Sequence, residues 1–403
     1  MTTTASALPQ LRVKGKSLLP IVQGGMGVGV SGHRLAGNVA RLNAVGTIAS
    51  VDLRRLHPDL MEASGRSRDR EQTKAAINAA NLVALDRELR AARAIAGDSG
   101  MIAVNVMRAV SEYAGYVQQA CESGAGAIVM GAGLPLDLPE LAAGYPQVAL
   151  IPILSDVRGV SLVLKKWQRK NRLPDAIVIE HPRYAGGHLG AARPEEVADA
   201  RFDFETVIPG VLAVLQEMGL ERERIPLIPA GGINTPQRVR ELFALGASAV
   251  QLGTPFAVTE EGDAHPNFKR VLAEAKPEDI VTFVSVAGLP ARAVRTPWLA
   301  NYLKRVEKLG AAAKPNRCTL AWDCLAQCGL RDGIAKIGQF CIDSQLAAAL
   351  RGDVEKGLFF RGAERLPFGS AIRPVRDLIA YMLGMDAVGE DAAAAGHPSA
   401  ACG

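Results

Sequence analysis

Apolar residues in this chain gather in short, nearly continuous runs instead of alternating with polar ones. Eight runs stand out: Leu19–Gln23, Val45–Ala49, Ile102–Val106, Ala127–Met130, Val148–Leu154, Ala176–Glu180, Ile225–Ile228 and Ala249–Leu252. Stretches of helical character, such as Ala109–Ser123 and Ala191–Met218, alternate with most of them. Apolar strands separated by helices predict a parallel sheet covered on both faces. Eight of them suit a closed (β/α)8 TIM barrel better than an open sheet. The expected fold class is α/β, a barrel of this kind.

The last repeat is the most informative. Ile225–Ile228 runs into Pro229-Ala230-Gly231-Gly232-Ile233, and Thr235-Pro236 then starts a helix over Gln237–Leu245 that Gly246 closes. Thr at the cap, Pro at the first helical position and Gly at the end are the expected punctuation. The following strand ends in Gln251-Leu252-Gly253-Thr254-Pro255. A strand, glycine turn, helix, strand and second glycine turn form the unit with which barrels bind phosphate through main-chain N–H groups.

Two regions break the repeat. The expected organisation is a barrel over residues 1–265 with an insertion at about 54–99, charged at first and helical from Asn78 to Ile95. A smaller helical substrate or lid domain follows over 266–313, interrupted at Ala287-Gly288-Leu289-Pro290. A cysteine-bearing helical extension covers 314–387, and 388–403 reads as a disordered tail.

Composition changes this picture little. Lys and Arg number 46 against 41 Asp and Glu, a net +5 spread along the chain, and aromatic residues are only 5%. Neither value supports a nucleic-acid partner. No apolar run reaches transmembrane length, and Met1–Lys16 lacks the apolar core of a signal peptide. A cytoplasmic enzyme without a membrane partner is expected. Six cysteines in so long a chain do not suggest a disulfide framework.

In such a barrel the carboxyl ends of the strands build the site. Those ends carry Gln23-Gly24-Gly25-Met26-Gly27, Asn105, Gly131-Ala132-Gly133, Ser155-Asp156 and the loop from Glu180 to Gly190. So many glycines imply a flat ligand lying close to backbone. FMN has that shape, with its phosphate at the last two turns and its ring over the others. Within the loop His188 lies between Gly186-Gly187 and Gly190, where an imidazole can move a proton near neutral pH. His181, at the strand end before Pro182, reads as structural.

Ala185-Gly186-Gly187-His188, Ala230-Gly231-Gly232-Ile233, Gln251-Leu252-Gly253-Thr254 and Gln23-Gly24-Gly25-Met26 resemble the motifs of the nitronate monooxygenase (2-nitropropane dioxygenase) family. The resemblance covers roughly Leu19 to Arg295. It implies an FMN-bearing barrel with a smaller helical domain over the flavin, and it places the family's histidine on His188. Its phosphate-binding backbone falls on Gly231, Gly232, Gly253 and Thr254, its ring contacts on Gly25, Met26, Asn105 and Gln251, and Gly187 joins the cofactor-binding set. Ser285–Arg292 resembles the family's late G-x-P-A-R stretch. The chain departs from many members in having Tyr184 before Ala185 where they have Glu. The implied reaction oxidises alkyl nitronates with O2 to a carbonyl compound and nitrite. Related enoyl reductases and NAD(P)H:quinone reductases supply the alternative, NAD(P)H-dependent reduction of a quinone or an enoyl thioester. A small-molecule substrate and O2 are the expected partners, and such barrels also admit a homodimer.

Cys318, Cys324, Cys328 and Cys341 fall within 24 residues, spaced C-x5-C-x3-C-x12-C. Four thiolates can hold a 4Fe-4S cluster or a tetrahedral zinc, and buried cysteines can also pack as small hydrophobes. The absence of C-x2-C pairs disfavours a zinc ribbon, and a cluster beside FMN would favour the reductase alternative. If Cys324 and Cys328 share a helix, they face the same way.

Overall fold

The computed structural model describes residues 8–65, 67–220 and 225–385, so the tail over 388–403 lies outside the described residues. The chain opens with an antiparallel hairpin, β1 (Leu11–Val13) and β2 (Lys16–Leu18). Seven parallel strands alternate with helices and connecting segments after it: β3 (Ile21–Gln23), β4 (Val45–Ala49), β5 (Met101–Met107), β6 (Ala127–Gly131), β7 (Ala149–Leu154), β8 (Ile177–Glu180) and, beyond the short β9 (Gly187–His188), β10 (Leu227–Ala230). An eighth, β11 (Val250–Leu252), pairs in parallel with β3 and closes the barrel in the order β10-β11-β3-β4-β5-β6-β7-β8. The expected (β/α)8 fold is therefore present, stave by stave.

Burial explains why the strands read as continuous apolar runs. Residues facing inwards, among them Val22, Val45, Ala103, Val129, Ile151, Val178 and Ile228, form one buried cluster with Leu11, Val13 and Leu18 of the hairpin, which seals the amino-terminal end. Their neighbours Ile21, Ile48, Val104, Ile128, Ile177 and Leu227 face outwards into the core under the helices. A strand apolar on both faces has no polar alternation to show. The β3–β4 ladder is thin, a single register pair. Buried Gln23 reinforces it: its Nε2 donates to Thr47 O (3.0 Å) and its Oε1 accepts from Thr47 N (2.8 Å).

The insertion is dominated by the helix Arg70–Ala96, which Asp69 caps by accepting from Glu71 N. It packs on the helix His33–Arg41 around the buried carboxylate of Glu88. Burial raises that pKa, but hydrogen bonds from His33 and His57 and the charge of His33 outweigh it and bring the group to about 2. A depressed carboxylate stabilises the fold above its unfolded pKa, near 4.5, and the gain is lost as pH falls from there towards 2. Glu88→Gln should cost roughly 1.5–3 kcal/mol at pH 7 and flatten the acid limb of the denaturation profile. Unchanged denaturant midpoints at pH 7 and pH 4 would contradict this.

Two expectations for the second half need correction. Segment 266–313 holds helices at Pro266–Glu274, Pro297–Leu303 and Val306–Ala311, but also an antiparallel pair, β12 (Ile280–Val284) and β13 (Pro290–Val294). The interruption around Gly288 is their hairpin turn. Val281, Thr282, Phe283 and Val284 favour a strand, and β13 gains a further partner in β9, through Ala291 opposite His188 and Arg292 opposite Gly187. The cysteine-bearing segment is only partly helical, at Gly329–Asp332, Ile342–Leu350 and Val375–Leu383. Cys324 and Cys328 do not share a helix, because Leu325 forms a bridge to Val110 instead. This segment docks on the insertion: Trp322 Nε1 donates to Asn78 Oδ1 (2.7 Å), and Arg55 Nη2 to Asp343 Oδ2 (2.5 Å).

Candidate active site

At the carboxyl end of the barrel lies a chamber of about 630 Å³, within the usual range for small-molecule sites. All ten residues singled out for cofactor or catalysis border it: Gly25, Met26, Asn105, Gly187, His188, Gly231, Gly232, Gln251, Gly253 and Thr254. Each arrives from a strand end or the loop after it, as barrel topology requires.

Local sequence explains the close approach of main chain to this space. Gly25 lies so near Asn105 that a Cβ there would stand 2.3 Å from the asparagine's own Cβ. At Gly232 φ is +73°, and a Cβ would meet the Tyr184 ring at 2.7 Å. The Gly231-Gly232 turn feeds the helix Pro236–Leu245, whose cap Thr235 accepts from Arg238 N (3.2 Å). Gly253 is different: a Cβ would find nothing nearer than Met26 Sδ at 4.0 Å, so the space before it opens to the chamber. The Thr254 hydroxyl accepts from Gly362 N (3.0 Å), which fixes its oxygen and leaves its own hydrogen free to donate beside the main-chain N–H groups.

His188 sits on β9, where pairing with β13 fixes its backbone. Arg292 holds the preceding loop by donating from its buried guanidinium to Pro182 O (3.1 Å) and Ala185 O (2.5 Å). The imidazole Nε2 lies 2.9 Å from Ser285 Oγ, which also accepts from Ala287 N (3.2 Å). Burial pushes the His188 pKa down to about 4, so the ring is neutral at pH 7. His181, by contrast, is buried away from the chamber between the Tyr184 and Phe204 rings, with Nε2 3.2 Å from Asp203 Oδ1.

Two acidic residues of the chamber wall have raised pKa values that their place in the sequence does not announce. Glu180 ends β8 beside Gly190, and burial alone pushes its pKa up to about 7. Asp343, also at the wall, is held well above the ordinary carboxylate range by burial and by the Asp52 carboxylate, against the pull of Arg55. The only sequence signal for Glu180 was a carboxylate at the end of an otherwise apolar strand. For Asp343 there was none, because it comes from the segment after residue 314. That segment also supplies Phe360, whose ring centroid is 5.9 Å from that of His188.

A sequence profile of the nitronate monooxygenase family matches residues 11–383, nearly the whole described chain. The chain belongs to the nitronate monooxygenase family. A probable nitronate monooxygenase of Bacillus subtilis is 28% identical over 285 residues, covering 70% of this chain and 77% of the relative. A nitronate monooxygenase of Pseudomonas aeruginosa is 33% identical over 118 residues, 29% of this chain and 31% of that one. Among solved structures, FabK from Thermotoga maritima aligns with a TM-score of 0.58 at 22% identity over 91% of both chains. Nitroalkane oxidase from Streptomyces ansochromogenes aligns with a TM-score of 0.60 at 19% identity, over 91% of this chain and 95% of that one. These structural likenesses are likenesses of fold.

As a nitronate monooxygenase-family protein the chain is an oxidoreductase acting on small molecules, in a family that depends on a flavin. The chamber suits such a group: it is large, mostly apolar, and bordered by turns whose glycines leave main chain bare. Among the described residues no helix is long and apolar enough to cross a membrane. Cys318, Cys324, Cys328 and Cys341 all border one small cavity next to the chamber. Among the described residues no group of three or more His, Cys, Asp or Glu side chains is set to hold a single metal ion.

Proposed function

We propose that this protein is an FMN-dependent nitronate monooxygenase, oxidising alkyl nitronates with O2 to a carbonyl compound and nitrite. The observation that carries the reading is the convergence of the two glycine turns and His188 on one chamber. Main-chain N–H groups of Gly231, Gly232, Gly253 and Thr254 would hold the FMN phosphate. Gly25, Met26, Asn105, Gly187 and Gln251 would border its ring. When bound, FMN supplies a two-electron acceptor that O2 can re-oxidise.

The protein's own part is to bind and orient an anion beside that ring. Ser285 Oγ accepts from Ala287 N, so its own hydrogen is free to point at His188 Nε2. With that hydroxyl hydrogen on Nε2 the imidazole proton sits on Nδ1, from which the neutral ring would donate a hydrogen bond to a nitronate oxygen. With a neutral nitroalkane, the Nδ1-protonated ring would be a weak base, so the preferred substrate is the preformed nitronate.

Glu180 sets the pH dependence. Below about 7 it is protonated and neutral; above, it adds a negative charge to the chamber and repels an anionic substrate. The kcat/KM for alkyl nitronates should therefore fall as pH rises through 7, and Glu180→Gln should remove that limb. A descending limb that persists in the variant assigns it elsewhere.

The decisive experiment combines flavin release from denatured protein with nitrite production from an alkyl nitronate. FMN bound without any nitrite formed would end this reading. If the cysteine set holds a cluster, it would favour a second one, in which NAD(P)H is the donor and a quinone or enoyl thioester the acceptor. Anaerobic bleaching of the flavin by NADH or NADPH, but not by a nitronate, would establish it.

A further inference from the structure

We propose that Cys318, Cys324, Cys328 and Cys341 form the binding site of a cubane-type iron–sulfur cluster set against the wall of the flavin chamber. The four residues come from separate places: three from the irregular chain before Gly329 and one from the start of the helix Ile342–Leu350. Yet all four border a single cavity, closed otherwise by Leu320, Trp322, Leu330, Arg331 and Ile342. Cysteines serving only as small hydrophobes have no reason to converge, and Cys121, in the helix Tyr113–Glu122, packs alone in the core.

The build of the segment points the same way. From Ala312 to Cys328 the chain forms no helix or strand, only the isolated bridge at Leu325. Structureless stretches of more than about 12–15 residues are uncommon in compact domains and usually serve a function. This one is nevertheless tethered: Ala326 N donates to Ala109 O (2.9 Å), Ser111 N to Cys324 O (3.3 Å), and Arg331 to the carbonyls of Leu325 (2.5 Å) and Ala326 (2.9 Å). Arg331 also borders the cavity, its charge shared with Asp332 (2.6 Å) and Asp323 (3.7 Å).

The two candidate metals ask different things of the four sulfurs. Zinc at about 2.3 Å from each thiolate needs the sulfurs within about 4 Å of one another. The sulfurs do not stand in a set fit for a single ion. A cubane is ligated at its corners, so its thiolates stand farther apart around a shared centre. The cavity itself is small, about 10 Å³. Loading a cluster therefore requires the irregular Lys314–Cys328 chain to shift outwards; the same shift would admit zinc, which the sulfide analysis distinguishes.

Trp322, Cys324 and Ile342 border both the cavity and the chamber, so a single layer of residues separates them. This adjacency to a redox ring rests on the flavin reading; the cysteine site itself does not.

The test is metal and sulfide analysis of the full chain, purified without oxygen and also after reconstitution with ferrous iron and sulfide. About four irons and four acid-labile sulfides per chain are expected, with a broad brown absorption that dithionite bleaches. Cys324→Ser and Cys341→Ser should each lose iron and sulfide, whereas Cys121→Ser should keep both. One zinc without sulfide overturns the proposal, as does protein free of iron and sulfide by both routes, or retention of the full complement in both cysteine variants. Flavin is quantified in the same samples: flavin without iron sinks this inference alone, and iron with sulfide but no flavin sinks the cofactor reading alone.

Discussion

Replacing His188 with alanine should lower turnover of alkyl nitronates by about 10²–10⁴-fold while the flavin stays bound. The expectation follows from how the ring is held. Its backbone is fixed by β13, its Nε2 is occupied by Ser285, and its neutrality at pH 7 comes from burial. On the proposed reading the other ring nitrogen meets the substrate, so truncation would remove a contact with the reacting anion and leave the glycine turns untouched. Ser285→Ala should have a smaller effect, because the ring keeps its position and loses only the tautomer preference. Nitrite release under steady state, with flavin content measured in parallel, checks both. Turnover of His188→Ala within about threefold of the parent would show that this imidazole is no part of the chemistry.

Gly253→Leu should abolish flavin retention with little loss of fold. The backbone there has φ of −106°, outside the left-handed region, and an added Cβ touches nothing in the protein closer than 4.0 Å. The new side chain would occupy the space in which the phosphate is proposed to sit. A weakening of at least 10²–10³-fold in Kd corresponds to about 3–4 kcal/mol. Gly232 is a poorer choice for this test, since its positive φ and the Tyr184 ring make any substitution a fold lesion as well. Visible absorption of the purified variant decides the matter, with circular dichroism as the check on folding. A variant that elutes yellow, with a full complement of flavin, would move the phosphate away from this turn.

Both predictions draw on residues legible in the chain itself. Glycine at Gly231, Gly232 and Gly253 marks main chain made available to a ligand, and that mark survives in one dimension because no other residue type serves. His188 was legible for the same reason, flanked by glycines after an apolar strand. Glu180 was visible as a letter but not as an acid of pKa about 7, because its shift comes wholly from desolvation by distant segments. Ser285 likewise meets His188 only through the β9–β13 pairing, 97 residues away in sequence. The short strands β12 and β13 were missed because five-residue runs between helices give too little period to read.

By itself the sequence determined the barrel, its eight staves and the two glycine turns. These depend on local runs of apolar residues and on glycine, properties that each residue carries wherever the chain goes. Only the tertiary structure decided which wall closes the chamber. Phe360, from beyond residue 314, stands beside a histidine of β9, Asp343 joins the chamber wall, and four scattered cysteines share one cavity. Those meetings are set by the packing of the carboxyl-terminal segment across the barrel mouth. Packing between remote segments leaves no periodic trace along the chain, because it is fixed by complementary shape and partner hydrogen bonds that exist only once both surfaces have formed.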